Sequence, residues 1–162
     1  MPIQLTDAEI AQLLAERKPL PADYRERIQT KPKHGHKARE LDVTGVDGNE
    51  FRVILRQSLF NPFDFSVILA YRAPKTNQLF RLRRYNGKSH EHTNKLEGNT
   101  FYDFHVHMAT DRYQRESGLR EDSFAEATNR YSDFNGAIRC MLEDGAFDVP
   151  ADPQLDLFEE EA

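Results

Sequence analysis

The sequence predicts an α+β protein, an antiparallel sheet of five to six strands with one face covered by an N-terminal and a C-terminal helix. Apolar residues recur at helical spacing near both ends of the chain and alternate with polar residues in between. Gly-containing turn sequences separate the alternating segments. Only 38% of the 162 residues are apolar, but 11 Phe and 6 Tyr supply large buried area.

The N-terminal helix has a clear start and stop. Thr6-Asp7-Ala8-Glu9 is a capping box, in which Thr6 and Glu9 each accept a free backbone N–H. Ile10 and Leu13 follow at helical spacing, and Pro19 and Pro21 end the helix. Residues 23–29 predict a second short helix, followed by an exposed basic loop at 31–36.

Six strands are predicted, at 37–46, 50–58, 65–72, 78–85, 88–93 and 101–108. Between the first two, a three-residue loop would pair Val43 with Val53 and Leu41 with Leu55, which buries one face. A two-residue loop would instead pair Val43 with Arg52, so the three-residue loop is preferred.

Asn86-Gly87 predicts a two-residue hairpin. That turn would pair Arg83 with His90 and Arg81 with His92.

The C-terminal part predicts a capping box at 123–126 and an amphipathic helix over about 133–142, with Gly145 as its C-cap. From Asp148 onward the chain has too few apolar residues to build a core. The expected organisation is one α+β domain at 1–147 and a flexible acidic tail at 148–162.

The charge is distributed unevenly. The formal net charge is −5, but residues 143–162 hold eight acidic residues and no basic ones, so residues 1–142 carry a formal +3. A basic body suits a nucleic-acid partner. No apolar run is long enough to span a membrane, no basic signal sequence precedes the first helix, and Cys140 is the lone cysteine. These features predict a cytoplasmic protein without a membrane partner.

All six histidines occur in His-x-His pairs, at 34/36, 90/92 and 105/107. Residues two apart on a strand share a face. If the predicted hairpin lies beside the last strand, one face presents Arg81, Arg83, His90, His92, Asp103, His105 and His107.

Several interpretations of that face compete. It is a solvated sheet face, or it binds nucleic acid through Arg72, Arg81, Arg83, Arg84, Tyr85 and Lys88, with Tyr85 stacking on a base. It is alternatively the site of a metal-independent ribonuclease, with catalytic candidates His105, His107, His90, His92 and Asp103. Metal binding ranks last because the neighbouring arginines disfavour a cation, so no metal or other cofactor is predicted.

The segments 80–92 and 104–107, Phe-Arg-Leu-Arg-Arg-Tyr-Asn-Gly-Lys-Ser-His-Glu-His and Phe-His-Val-His, resemble small bacterial toxins of the TumE type. Those toxins carry an Arg-Tyr-Asp-Asn-like strand end before a His-rich segment; here Asn86-Gly87 replaces the Asp-Asn step. The resemblance implies a toxin–antitoxin component that acts on RNA and has an antitoxin partner.

The tail contains a short motif. Gln154, Leu155, Asp156, Leu157 and Phe158 match the pentapeptide Gln-Leu-Ser/Asp-Leu-Phe by which bacterial proteins bind the DNA polymerase sliding clamp. The alternative is that these apolar residues pack on the domain.

The leading hypothesis is therefore a small bacterial or mobile-element protein that binds nucleic acid through its basic, His-rich face and the sliding clamp through its tail. The alternatives are a toxin-like ribonuclease and a non-catalytic protein-interaction module.

Overall fold

A computed structural model describes residues 3–116 and 118–150. The helices are α1 (Asp7–Ala15), α2 (Tyr24–Arg27), α3 (Asp111–Gln114) and α4 (Phe134–Asp144). The strands are β1 (Lys18–Pro19), β2 (Lys31–Lys33), β3 (His36–Thr44), β4 (Glu50–Ser58), β5 (Phe65–Arg72), β6 (Leu79–Asn86), β7 (His92–Thr93), β8 (Thr100–Phe101), β9 (His105–Met108), β10 (Ala125–Ala127) and β11 (Phe147–Asp148).

The fold class is α+β, as the sequence predicts. Seven strands form one antiparallel sheet in the order β10-β9-β6-β5-β4-β3-β2. Two small two-stranded sheets join β1 to β11 and β7 to β8. The main sheet exceeds the expected five to six strands because two three-residue edge strands, β2 and β10, arise in segments expected to be a loop and a helix start.

Helices α1, α2 and α4 cover one face of the sheet, where the core lies. Ile10 and Leu13 of α1 and Phe134, Ile138 and Met141 of α4 join the apolar side chains of β3 to β6 in one buried cluster. The predicted capping box at Thr6 and Glu9 is present, and Gly145 is the C-cap of α4. No helix within the described parts of the chain is long and apolar enough to cross a membrane.

The hairpin between β3 and β4 keeps the predicted faces but not the predicted register. Val43 pairs with Phe51 and Leu41 with Val53, two residues away from the expected partners. A shift of two residues leaves the same side chains facing the core. The loop is longer than expected because the Glu16 carboxylate, from outside the hairpin, accepts hydrogen bonds from Asp47 N and Asn49 Nδ2.

The predicted hairpin at Asn86-Gly87 is wrong. Asn86 ends β6, and the chain then runs on beside the loop before β5, with Gly87 N bonded to Phe65 O and Lys88 N to Phe63 O. A Cβ on Gly87 would lie 1.8 Å from Phe63 O. Glycine is therefore needed here for close approach to another segment rather than for a turn, and β9 takes the place beside β6.

Two further local predictions are wrong. The expected basic loop at 31–36 is a hairpin of β2 and β3, whose turn residues His34 and Gly35 both have positive φ. The expected capping box at 123–126 leads into no helix. Its residues Ala125 and Glu126 belong to β10, because they pair with β9 at the sheet edge.

Candidate functional site

Four histidines lie together on the sheet face opposite the helices. His105 and His107 project from β9 and are 0% and 4% exposed. The segment between β6 and β9 folds over them and brings in His92, which is half-buried, and His90, which is exposed. The ring centroid of His92 lies 5.4 Å from that of His105 and 4.8 Å from that of His107. The ring of His90 lies 5.9 Å from that of His105. We call His90, His92, His105 and His107 the histidine cluster.

Each of the three inner histidines has an oxygen partner for one ring nitrogen. His105 Nδ1 lies 2.8 Å from Asp103 O, and His107 Nδ1 lies 2.7 Å from Asp122 O. A carbonyl oxygen only accepts, so both Nδ1 atoms carry the proton. In the neutral ring each Nε2 then has a free lone pair. Nε2 of His105 is buried and has no hydrogen-bond partner within the described structure.

Asn94 fixes the third ring. Its Oδ1 accepts from Ala125 N at 2.9 Å, and its Nδ2 donates to Ala125 O at 2.8 Å, which settles the orientation of the amide. His92 Nε2, 2.9 Å from Asn94 Oδ1, must therefore be the donor. In neutral His92 the lone pair is then on Nδ1.

Burial keeps the two innermost rings uncharged. It lowers the pKa of His105 to about 4 and that of His107 to about 2, with the Arg84 charge and the other histidines adding to the effect. Neither ring carries a second proton at neutral pH, so neither can serve as a general acid there. Uncharged imidazole is the form that binds a metal ion.

The cluster has the donor set of a metal site. One ring nitrogen of each of His92, His105 and His107 lies within 4.8 Å of the others. Tetrahedral zinc with bonds of about 2.1 Å needs its ligands about 3.4 Å apart, so each pair has to close by at most about 1.4 Å. Oxygen acceptors on the opposite nitrogens are the outer partners that orient metal-binding histidines.

The arginines beside the cluster are paired with acids inside the fold. A β-bulge opposite Leu69 and Ala70 leaves Arg81 and Arg84 on the histidine side of the sheet. Both pair with Asp122, which is 0% exposed, at 3.3 and 3.1 Å. Burial lowers the pKa of Arg84. Because Glu121 and Asp122 offset part of this positive charge, the two arginines do not exclude a cation from the cluster.

The other residues expected on the basic face lie elsewhere. Arg83 pairs with Asp144 of α4 on the helix side at 3.7 Å. Tyr85 is 0% exposed and donates to Asp144 Oδ2 at 2.6 Å, so it is not available to stack on a base. Arg72 pairs with Asp42 at the opposite end of the sheet. Lys88 is exposed, with its Nζ 5.8 Å from the Phe104 ring centroid.

Comparison with protein-family models, with curated proteins and with solved structures found no significant match. The assignment of the site therefore rests on the chemistry of its residues.

Of the catalytic candidates, the four histidines come together, whereas the Asp103 side chain is exposed and only its carbonyl serves the cluster. Sequence reasoning missed Asn94 and Asp122, which hold His92 and His107. No spacing signal marks them, because both lie in loops whose position depends on the whole fold. The clamp motif at 154–158 lies outside the described residues.

Proposed function

We propose that this chain is a metal-dependent hydrolase of phosphodiesters, with a divalent transition metal held by His92, His105 and His107. The observation that carries the proposal is that the three rings share one hydrogen-bonding arrangement, which fixes the tautomer of each. Each donates one N–H to a fixed oxygen, which leaves one lone pair per ring. Imidazole ligands suit zinc and its neighbours in the first transition row.

Three histidines would provide the number of protein ligands typical of catalytic rather than structural zinc sites. A zinc ion held by His92, His105 and His107 would supply a water activated for attack at neutral pH. Attack of that water oxygen on phosphorus would break the P–O ester bond, and the leaving oxygen would take up a proton. His90 is the exposed histidine beside His105 and is the group placed to deliver that proton.

RNA is the substrate class, supported by the formal +3 charge of residues 1–142 and by the resemblance of segments 80–92 and 104–107 to TumE-type toxins. A metal-independent mechanism, the alternative from sequence, requires one charged histidine as acid. The neutral His105 and His107 do not fill that role near pH 7, and treatment with EDTA in the cleavage test below separates the two mechanisms.

The test uses the full chain, first dialysed against EDTA, with zinc binding measured by calorimetry. We expect one ion per chain, and at least about 100-fold weaker binding for His92→Ala and for His105→Ala/His107→Ala. The matched control is His34→Ala/His36→Ala, which removes a His-x-His pair from the exposed hairpin and should bind like the unaltered chain. His92 is half-buried, so His92→Ala keeps the test valid if the double variant does not fold.

Cleavage of a labelled RNA oligonucleotide should stop after EDTA treatment and return with zinc. His90→Ala should bind zinc normally but cleave more slowly. Equal zinc affinity in His92→Ala and the control, or cleavage that persists without metal, would overturn the proposal.

We also propose that the tail tethers the protein to the sliding clamp in the bacterial cytoplasm, because all five positions of the motif at 154–158 match. Leu157 and Phe158 would fill an apolar pocket of the clamp, as short peptide anchors do. In a pull-down or calorimetric titration of the full chain against purified clamp, Leu157→Ala/Phe158→Ala should abolish binding, whereas Glu159→Ala/Glu160→Ala should not. No clamp binding at tens of micromolar, or equal binding by the two variants, would contradict it.

A further inference from the structure

The exposed basic hairpin of β2 and β3 carries charge that the fold does not use. Lys31 and Lys33 are exposed, and neither forms an ion pair with any residue that the structure describes. The four arginines that the sequence assigned to nucleic acid are, by contrast, all paired with acids. Unpaired positive charge therefore lies at the β2 edge of the sheet, whereas the arginines of β6 are paired with acids.

Exposed aromatic side chains lie beside the hairpin that carries these lysines. In the loop from β4 to β5, Phe60 is 85% exposed, and its neighbours Leu59 and Phe63 are 50% and 45% exposed. The loop is held in place, because Ser58 Oγ accepts from Phe60 N and Asn61 N. Phe60 lies beside the hairpin turn, with Cε2 3.5 Å from the position of a Cβ on Gly35.

The hairpin and the histidine cluster share one face and are joined across the sheet. Residues directly opposite each other on neighbouring strands point to the same side. One such cross-strand row runs through Lys31, Ala38, Arg56, Ser66, Asn86 and His105. Five strand spacings separate its ends, a distance of about 24 Å.

The loop that carries Phe60 also reaches the strand that carries the cluster. Phe63 packs edge-on against Phe104, the residue before His105, with centroids 5.7 Å apart. Lys88 Nζ lies 5.8 Å from the centroid of the Phe104 ring. Asp64, the acid in this loop, is paired with Arg56 at 3.3 Å. Lys31, Lys33 and Phe60 thus form a strip at the β2 edge, at one end of the cross-strand row that ends at His105.

The geometry points to this strip as a binding surface for single-stranded nucleic acid, which it guides to the histidine cluster. Lysines that track phosphates together with an aromatic ring that stacks on bases are the combination such ligands require. In a duplex the base faces are stacked on one another, so they are not accessible for stacking on Phe60. The choice of ligand rests on the proposed phosphodiesterase function, but the surface itself requires no metal.

Binding is measured by fluorescence anisotropy with the full chain in EDTA, using labelled 16-nucleotide oligo(U), oligo(dT) and an RNA duplex. We expect both single strands to bind and the duplex to bind more weakly. Phe60→Ala and Phe60→Leu should each weaken single-strand binding about tenfold, whereas Phe60→Trp should retain it. The two single strands distinguish RNA from DNA as the ligand.

Lys33→Ala should lower the affinity and reduce the slope of log affinity against log salt by about 0.7, the value for one phosphate contact on a single strand. The matched control is Lys75→Asn, which removes one exposed positive charge from the loop at the opposite end of the sheet, where Lys75 has a φ of 62° that asparagine tolerates. Unchanged binding in Phe60→Ala and Lys33→Ala, or an equal loss in Lys75→Asn, would overturn the inference. The binding assay contains EDTA and therefore no metal. A negative result for nucleic-acid binding can thus be distinguished from a negative result for zinc binding or cleavage.

Discussion

Asp122→Asn is expected to lower the free energy of unfolding by about 3 to 5 kcal/mol. The Asp122 carboxylate is fully buried and pairs with Arg81 and Arg84. The asparagine fits the same space but carries no charge, so Arg84 is left as a buried cation without its counter-ion. Urea unfolding at pH 7 measures the loss.

Asp42→Asn is the matched control, because Asp42 also pairs with two arginines, Arg52 and Arg72, but its side chain is 53% exposed. Solvent screens that network, and the expected cost is about 1 kcal/mol or less. Equal costs for the two variants would show that the burial of Asp122 does not matter.

The same substitution should weaken zinc binding, since the Arg84 charge, which already acts on His107, would lose the carboxylate that partly offsets it. Asp122 O remains in place to accept from His107 Nδ1, so the ligand geometry is retained. Replacing Arg84 as well, in Arg84→Leu/Asp122→Asn, should restore part of both the stability and the zinc affinity. A double variant that binds zinc no better than Asp122→Asn would contradict this electrostatic explanation.

Lys18→Met is expected to cost about 3 to 5 kcal/mol of stability. Lys18 is 0% exposed, and the three N–H groups of its ammonium are shared among four carbonyl oxygens, those of Leu13, Leu14, Glu16 and Gly145. These oxygens lie at the C-terminal ends of α1 and α4, where helical carbonyls have no partner within the helix. One side chain therefore caps both helices that cover the sheet.

Methionine keeps the apolar stem beside Phe51, whose ring centroid lies 4.4 Å from Nζ, so the loss reports the hydrogen bonds and the charge. The neighbouring Arg17→Met is the control, because Arg17 is 68% exposed and pairs with Asp148 at the surface. It should cost about 1 kcal/mol or less in the same urea titration. A Lys18→Met loss no larger than that of Arg17→Met would show that the four carbonyls find other partners.

Much of the fold could be predicted because its signals are local. Strands β4 and β5 have the predicted bounds, since alternation of apolar residues depends on nothing outside the strand. The Thr6 capping box uses atoms only three residues apart. The register between β3 and β4 could not be predicted in this way. The partner of Val43 depends on Glu16, which contacts the β3–β4 loop from outside the hairpin.

The candidate site was likewise predicted only in its local features. The two-residue spacing of His105 and His107 predicted that they share a face, and both are in the cluster. The route by which His92 joins them was not predicted, because Asn86-Gly87 forms no hairpin and His92 arrives from a separate small sheet. The β6 bulge moves Arg83 to the helix side and Arg84 to the histidine side, an exchange that residue alternation alone cannot reveal.

By itself, the sequence determined the α+β class, the helical cover of one sheet face and the histidine pair on β9. It also identified the excess positive charge of the body and the motif in the tail. The tertiary structure decided which charges are used internally and which remain exposed. Whether a charge is paired depends on neighbours that are distant in sequence. Arg84 is paired with Asp122, whereas Lys33 has no acidic partner among the described residues. For that reason, the histidine cluster and the strip of Lys31, Lys33 and Phe60 emerged only once the strands were placed side by side.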